Sequence, residues 1–313
     1  MTYNELGKTG RSVSRLSFGA SALGDVYGPV DEGAAIEAVE AALECGINYF
    51  DVAPAYGATL AETRLGKALR GTPRHRYFLS TKVGKYLEDG PNGPATLDYS
   101  RPRIRQAFEE SLERLGVDCL DFLYIHDIEY QGGRYTKWAL EEGLETVLEL
   151  KREGRVGAFG FGFYPADLWR HVLSAYPIDV ALIHNHHCLH DTRLLELLPV
   201  AQRNGVGVVN GSPFASGLLT ERGAPEWHPA SPEARACFRA AADFCRNAGT
   251  SLSQLAIQFA TQNPAIPTTL FSSADPGLVF DNVRWSEQPL DQGLLKEVQR
   301  ILAPVRDQDW NYV

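Results

Sequence analysis

Eight short apolar runs, separated by longer stretches with a helical repeat, constrain this chain more than any other feature of its sequence. The runs are Leu16–Ala20, Asn48–Asp51, Tyr77–Lys82, Leu120–His126, Val156–Phe161, Val180–Ile183, Val206–Val209 and Thr268–Phe271. Among the intervening stretches, Asp31–Cys45 carries Ile36, Val39, Ala42 and Leu43 on one stripe. Arg103–Leu115 does the same with Ile104, Ala107, Phe108, Ser111, Leu112 and Leu115. Ser100 before Arg101-Pro102 reads as a helix entry and Gly116 as a stop. Further helices are expected over Leu140–Arg152, Asp167–Ala175, Leu194–Asn204, Ala234–Ala248, Leu252–Gln262 and Leu294–Leu302.

Strands that alternate with helices pair in parallel, and eight of them close into a (β/α)8 TIM barrel. An open doubly wound sheet would carry GxGxxG after its first strand. None is there, and Gly160-Phe161-Gly162 lacks the third glycine. The segment before Leu16, with Gly7 and Gly10 as turn residues, is expected to form an N-terminal hairpin across the barrel bottom, and extra helices are expected toward the C-terminus. One domain is expected over all 313 residues, with Gly211–Pro232 as a functional loop.

Composition narrows the partners. A hydrophobic content of 44% suits a packed core. No apolar run reaches the roughly 20 residues of a membrane span, and the start shows no secretory signal. The net charge of -9 leaves no basic stripe for nucleic acid. The five scattered cysteines, with no CxxC pair, read as free thiols in a reducing, cytoplasmic setting. Nothing in the sequence points to an oligomeric state.

Barrels of this kind gather reactive groups where strands end. The second, third and fourth runs end in Asp51, Lys82 and His126, and Tyr56 follows Asp51 in the next loop. Each alone has a plainer reading: a turn former, an edge charge, a hydrogen-bonded core histidine, a loop-packing ring. Together their tasks are complementary. A free phenol has a pKa near 10. An ammonium beside it favours the phenolate, an imidazole can orient a substrate oxygen, and a carboxylate can hold the ammonium in place. That set suits proton transfer at a carbonyl or hemiacetal coupled to hydride transfer by a bound cofactor.

Phe50-Asp51-Val52-Ala53-Pro54-Ala55-Tyr56-Gly57, Leu79-Ser80-Thr81-Lys82 and Asp121-Phe122-Leu123-Tyr124-Ile125-His126 resemble the signatures of the aldo-keto reductases, in order. The resemblance runs from Leu6 to about Asn282. It implies a nicotinamide-dependent oxidoreductase with Asp51, Tyr56, Lys82 and His126 as a catalytic tetrad. It also implies that Gly19, Ala20, Ser21, Ser212, Pro213, Phe214, Gly217, Leu218, Ser272, Ser273, Asp275 and Asn282 surround the cofactor. Within the family the chain looks most like the L-galactose-oxidising members. The markers are Phe18-Gly19-Ala20-Ser21, Gly66-Lys67, His126-Asp127-Ile128-Glu129 and above all Pro225-Glu226-Trp227-His228-Pro229-Ala230-Ser231-Pro232. The activity this implies is oxidation of an aldose at C1 to its lactone, with L-galactose the leading sugar. L-Fucose, D-arabinose and pyridoxal are alternatives, and a cofactor-binding regulatory subunit is the rival of another class. NAD is expected over NADP, because no basic residue stands in Ser272–Gly277 to meet a 2'-phosphate.

The chain also departs from the family. Gly162-Phe163 stands where many members hold the carboxamide with Ser-Asn, Leu182 replaces a glutamine, and Gly211 replaces a stacking aromatic. Asn185 or Asn210 would have to supply the missing contacts. Finally, His184-Asn185-His186-His187-Cys188-Leu189-His190-Asp191 has the composition of a metal site. Its position at the rim favours lining the sugar-binding mouth instead, with His184, His186, His187, Tyr130 and Trp227 as contacts, and no metal.

Overall fold

The computed structural model describes residues 1–310 apart from Asp89, Pro91 and Asn92. Its centre is a closed barrel of eight parallel strands: β3 (Leu16–Gly19), β4 (Tyr49–Asp51), β5 (Phe78–Val83), β8 (Leu120–His126), β9 (Val156–Phe163), β10 (Val180–His184), β11 (Gly207–Gly211) and β12 (Thr268–Phe271). The ring closes where Leu270 of β12 pairs with Ser17 of β3. All eight expected strands are present. β9 runs two residues farther than its apolar pattern suggested, through Gly162 and Phe163.

Ahead of the barrel, β1 (Tyr3–Glu5) and β2 (Ser12–Ser14) form an antiparallel hairpin. Leu6 and Val13 from it are fully buried among barrel-interior residues that include Tyr49, Phe122, Val180 and Val209. The hairpin therefore closes one end of the barrel, as expected. Around the outside lie α1 (Glu32–Glu44), α2 (Leu60–Leu69), α3 (Arg101–Leu115), the single turn α4 (Thr136–Trp138), α5 (Leu144–Arg152), α6 (Ala166–Ala175), α7 (Leu194–Asn204), α8 (Pro232–Asn247), α9 (Leu252–Gln262), α10 (Pro276–Ser286) and α11 (Gln292–Ile301). Among the described residues no helix is long and apolar enough to cross a membrane.

Three elements were not visible in the sequence pattern. α2 buries charged residues that interrupt its apolar stripe: Glu62 takes bonds from Thr81 and Arg114, and Arg64 donates to Leu23 O and Asp25. α10 was not among the expected helices; Pro276 at its first turn and the Asp275 cap start it. A second hairpin, β6 (Lys85–Leu87) with β7 (Ala95–Leu97), stands between β5 and α3 and carries Lys85 to the rim.

Helices α8, α9 and α11 share a second apolar cluster with Tyr164, Leu189, Leu218 and Trp310. That cluster brings the C-terminal segment back onto the loop after β10.

Candidate active site

Alternate residues of each strand face the barrel interior. Tyr124 and Tyr49 share a hydrogen bond of 2.9 Å, Tyr49 and Ser80 one of 3.0 Å, and Ser80 donates to Asp51 Oδ1 at 2.6 Å. This chain of bonds fixes one carboxylate oxygen. The other accepts from Lys82 Nζ at 2.5 Å, and Lys82 also donates to Val52 O at 2.8 Å. Two of the ammonium donors are thus committed. The ammonium lies 5.0 Å from the centroid of the Tyr56 ring.

Tyr56 is placed by backbone packing between two loops. A Cβ on Gly24, after β3, would lie 2.6 Å from Tyr56 O, and one on Gly57 would lie 2.1 Å from Gly24 O. Only glycines let these loops approach so closely, and Gly57 also needs its positive φ of +63°. The Tyr56 and His126 rings meet edge to face at 5.9 Å. The four residues expected as a tetrad therefore converge at one end of the barrel, across β4, β5 and β8.

Electrostatics departs from the expectation at one point. Burial, aided by the carboxylates of Asp51 and Asp127, pushes the Tyr56 phenol well above its usual range. Lys82 was expected to lower it, but Asp51 already balances that charge, and the phenol is held protonated. Burial also raises Asp51, against the pull of Lys82 and Ser80. His126 is held down to about 3, first by burial and then by the nearby lysines, so the ring is neutral. It makes no hydrogen bond within the described residues. Its Nδ1 is buried without a partner and its Nε2 is 3.6 Å from Asp127 Oδ1, too far for one.

A nicotinamide cofactor fits the neighbouring rim. Gly162 faces inward, and a Cβ there would sit 3.7 Å from Lys82 Cε; at Gly211 one would come within 3.0 Å of His184 Cβ. At Gly162 a Cβ would make only ordinary contacts, leaving room beside the tetrad, whereas the Gly211 position is already crowded by His184 and Leu182. Phe163, in contrast, stacks outward on Trp169 at 3.9 Å and offers nothing to a carboxamide. Ser212, Ala215 and Ser216 all have positive φ, a concentration of backbone strain in the loop after β11. Ser272 Oγ accepts from Ala22 N, joining the ends of β12 and β3 beside Gly19, Ala20 and Ser21. Asn282 is buried with Oδ1 unpartnered, whereas Leu218 turns its side chain into the second apolar cluster and its backbone N–H donates to Ala215 O at 3.1 Å. Pro213 is buried and Phe214 and Gly217 are half-buried in the same loop, while Ser273, in the loop after β12, is buried and accepts from Asp275 N at 3.1 Å. Asp275 caps α10 by accepting from Gly277 N at 2.8 Å and Leu278 N at 3.3 Å. Asn185 is buried at the end of β10 with φ +63°; Asn210 instead faces outward, donating to His187 O and Thr269 Oγ1.

The histidine-rich segment corrects two substrate assignments. β10 ends at His184, the positive φ of Asn185 breaks the strand alternation, and the His184 and His186 rings both lie against Tyr164, at 5.5 and 4.8 Å. His186 is fully buried, with Nδ1 3.1 Å from Asp191 Oδ2 and Nε2 2.6 Å from Tyr164 O; it does not line the mouth. His187 is buried with its ring stacked on Phe259 of α9. His190 contacts Cys188 Sγ and the ring of Phe238. Asp191 is held below the usual carboxylate range: burial opposes this, but His186 and Arg193 outweigh it. Asp309 pairs with Arg193, and Trp310 N donates to Tyr164 Oη. The segment is the seat of the C-terminal tail, which sequence reasoning missed. Among the described residues no three His, Cys, Asp or Glu side chains are placed to hold a metal.

His184 and Tyr130 remain at the mouth. Tyr130 lies under Lys85, whose Nζ is 3.5 Å from the ring centroid. Trp227 is half exposed and donates to Val26 O at 3.1 Å; with Arg222 on Tyr27 O it straps the loop after β11 to the loop after β3.

The fold and the four converging side chains define an oxidoreductase, and residues 15–303 match the aldo/keto reductase family, to which the chain belongs. It is similar to L-galactose dehydrogenase of Arabidopsis thaliana, at 40% identity over 97% of this chain and 95% of that one. It is also similar to pyridoxal 4-dehydrogenase of Microbacterium luteolum, at 31% over 91% and 93%. An aldo-keto reductase of Bacillus halodurans, solved in its holo form, superposes with a TM-score of 0.77, at 29% identity over 96% of both chains.

Proposed function

We propose that this protein oxidises a free aldose at C1 to the lactone with NAD as acceptor, and that L-galactose is its preferred sugar. The observation that carries the reaction class is the convergence of Tyr56, His126 and the Asp51–Lys82 pair at the rim, with His126 neutral and unspent. The likeness to an L-galactose dehydrogenase over nearly the whole chain supports the sugar.

His126 would orient the anomeric hydroxyl. Tyr56 would take its proton once ionised, with Lys82 stabilising the phenolate and Asp51 keeping the ammonium in place. Because the free phenol is held protonated, oxidation gains rate as the solution becomes alkaline, while the reverse reduction has its acid ready at neutral pH. A bound nicotinamide would supply the hydride acceptor at C1.

Two observations support NAD over NADP. Arg284, the nearest basic residue past β12, pairs with Asp281 at 2.6 Å. It also lies eight residues into α10, about 12 Å along the axis from the helix start. Asp275 keeps a negative charge at that start, where a 2'-phosphate would be repelled. The test is steady-state kinetics with L-galactose, L-fucose, D-arabinose and pyridoxal against both cofactors, with NMR of the product. The expected result is the highest kcat/KM for L-galactose with NAD, giving the lactone. A wide preference for pyridoxal or for NADP would overturn the corresponding half of the assignment.

A further inference from the structure

Asp127 follows His126 in the chain and has no part in the reaction described above, yet its surroundings are unusually expensive. It is buried, and its φ is +48°, in the left-handed region that few non-glycine residues enter and aspartate enters more readily than most. Several bonds hold it there. Asp127 N donates to Gly162 O at 2.9 Å, and Tyr99 Oη donates to His126 O at 2.8 Å and to Asp127 O at 3.2 Å. Lys85, delivered by β6, donates to Asp127 Oδ2 at 2.6 Å, and its ammonium is itself pressed against the Tyr130 ring. One carboxylate oxygen is thus fully engaged.

Oδ1 has a different role. It stands 3.6 Å from His126 Nε2, with no hydrogen bond to any described residue. Burial works against its charge, but the Lys85 ammonium bonded to Oδ2 helps hold the carboxyl below its usual range, so it is a carboxylate beside the neutral His126 imidazole. A separation of 3.6 Å is too long for Asp127 to orient the histidine by direct contact. It does suit two adjacent oxygens of one ligand. If the reacting oxygen accepts from His126 Nε2 at about 2.8 Å, and a neighbouring hydroxyl donates to Oδ1 at about 2.7 Å, both are ordinary hydrogen bonds. The gauche oxygens of a vicinal diol lie about one hydrogen-bond length apart, and the quadrilateral closes without distortion.

We propose that Asp127, braced by Lys85, is a specificity-determining residue that accepts a hydrogen bond from the hydroxyl on the carbon next to the reacting carbon. This deepens the aldose reading and rests on it for the physiological substrate, but it makes a separate claim: the site selects α-hydroxy carbonyls over plain ones.

The experiment uses a pair of aldehydes that differ only in that hydroxyl, lactaldehyde and propanal, reduced with NADH or NADPH, whichever turns over faster. The wild-type kcat/KM should favour lactaldehyde by about ten- to a hundredfold, as for a hydrogen bond to a charged acceptor. In Asp127→Asn that ratio should fall about tenfold, chiefly through KM. A purely structural ion pair would slow both aldehydes alike and leave the ratio unchanged, which overturns the proposal, as does a wild type that reduces both equally. Should Asp127→Asn leave Lys85 uncompensated and fail to fold, Lys85→Met/Asp127→Asn removes both charges and reads the same ratio. A wild type that oxidises no aldose but still selects lactaldehyde would sink the aldose reading and leave this one standing.

Discussion

The rim carries two clusters of buried polar side chains, and they differ in what their unpartnered groups stand beside. Around His186, both ring nitrogens are used, Asp191 answers His186 and Arg193, and Asp309 and Trp310 close the set. Around His126, the ring has no hydrogen bond, Lys82 has committed two donors, and Asp127 keeps one oxygen free of partners. Buried polar groups are normally satisfied. Unpartnered nitrogens remain in both clusters, on His187, His190 and Trp310 as well as on His126, and what marks the ligand site is that those at His126 stand beside Tyr56 and the Asp51–Lys82 pair. Richness in histidine does not mark one.

The comparison is broken most sharply by one pair of variants. Tyr56→Phe should lower kcat by about 10²–10⁴-fold, the usual loss on removing a positioned acid or base, while cofactor affinity measured by fluorescence titration stays near wild type. His186→Ala should do the reverse. It removes a fully buried ring bonded to Asp191 and Tyr164 O, so Tm falls by several degrees, with a cost of about 2 kcal/mol, while kcat/KM stays within about twofold. A Tyr56→Phe enzyme with most of its rate, or a stable but inactive His186→Ala, would exchange the meanings of the two clusters.

How much of this was legible beforehand follows from where the signals lie. β-runs such as Leu120–His126 and Thr268–Phe271 have their bounds in the structure unchanged, because continuous apolar runs bounded by turns are what a parallel, doubly covered strand requires. The convergence of Asp51, Tyr56, Lys82 and His126 was legible for a related reason: strand ends and the loop after one of them locate these residues. α2 was hidden because its buried Glu62 and Arg64 break the apolar period, and only tertiary partners justify them. The role of Asp127 was hidden too. Its partner Lys85 sits on a three-residue strand whose pairing no periodicity announces, and the positive φ that aims the carboxylate has no signature in a non-glycine residue. His186 and His187 were misjudged as mouth residues because the Asn185 twist and the returning C-terminal tail are both invisible in a local pattern.

A second effect, smaller than the loss of Tyr56 but common to both clusters, is acid sensitivity. Burial holds His126 at about 3 and His184, His187, His190 and His228 at about 4. An unfolded histidine titrates near 6.5. Between these values the unfolded chain binds more protons than the folded one, so stability is present above about pH 6.5 and is lost as pH falls toward 4. Denaturant titrations at pH 7 and pH 5 should differ by several kcal/mol in unfolding free energy. Equal stability at the two pH values would show that these rings are protonated in the folded protein.

The smallest expected effect is none, and it separates the clusters from the other side. A metal in the histidine segment would need nitrogen lone pairs converging on one point. His186 turns one nitrogen to Asp191 and the other to the carbonyl of Tyr164, both acceptors, so neither nitrogen presents a lone pair to a metal. His187 lies flat on Phe259, His190 is turned to Cys188 and Phe238, and His184 and His186 both pack on the Tyr164 ring. Drawing three of them together would break the His186–Asp191 bond and unseat the tail at Trp310. Dialysis against a strong chelator should therefore leave kcat/KM and Tm where they were, with zinc well below one per chain by elemental analysis. Stoichiometric zinc, lost together with activity, would mean that the segment rearranges around a metal and that the closed cluster is the functional one.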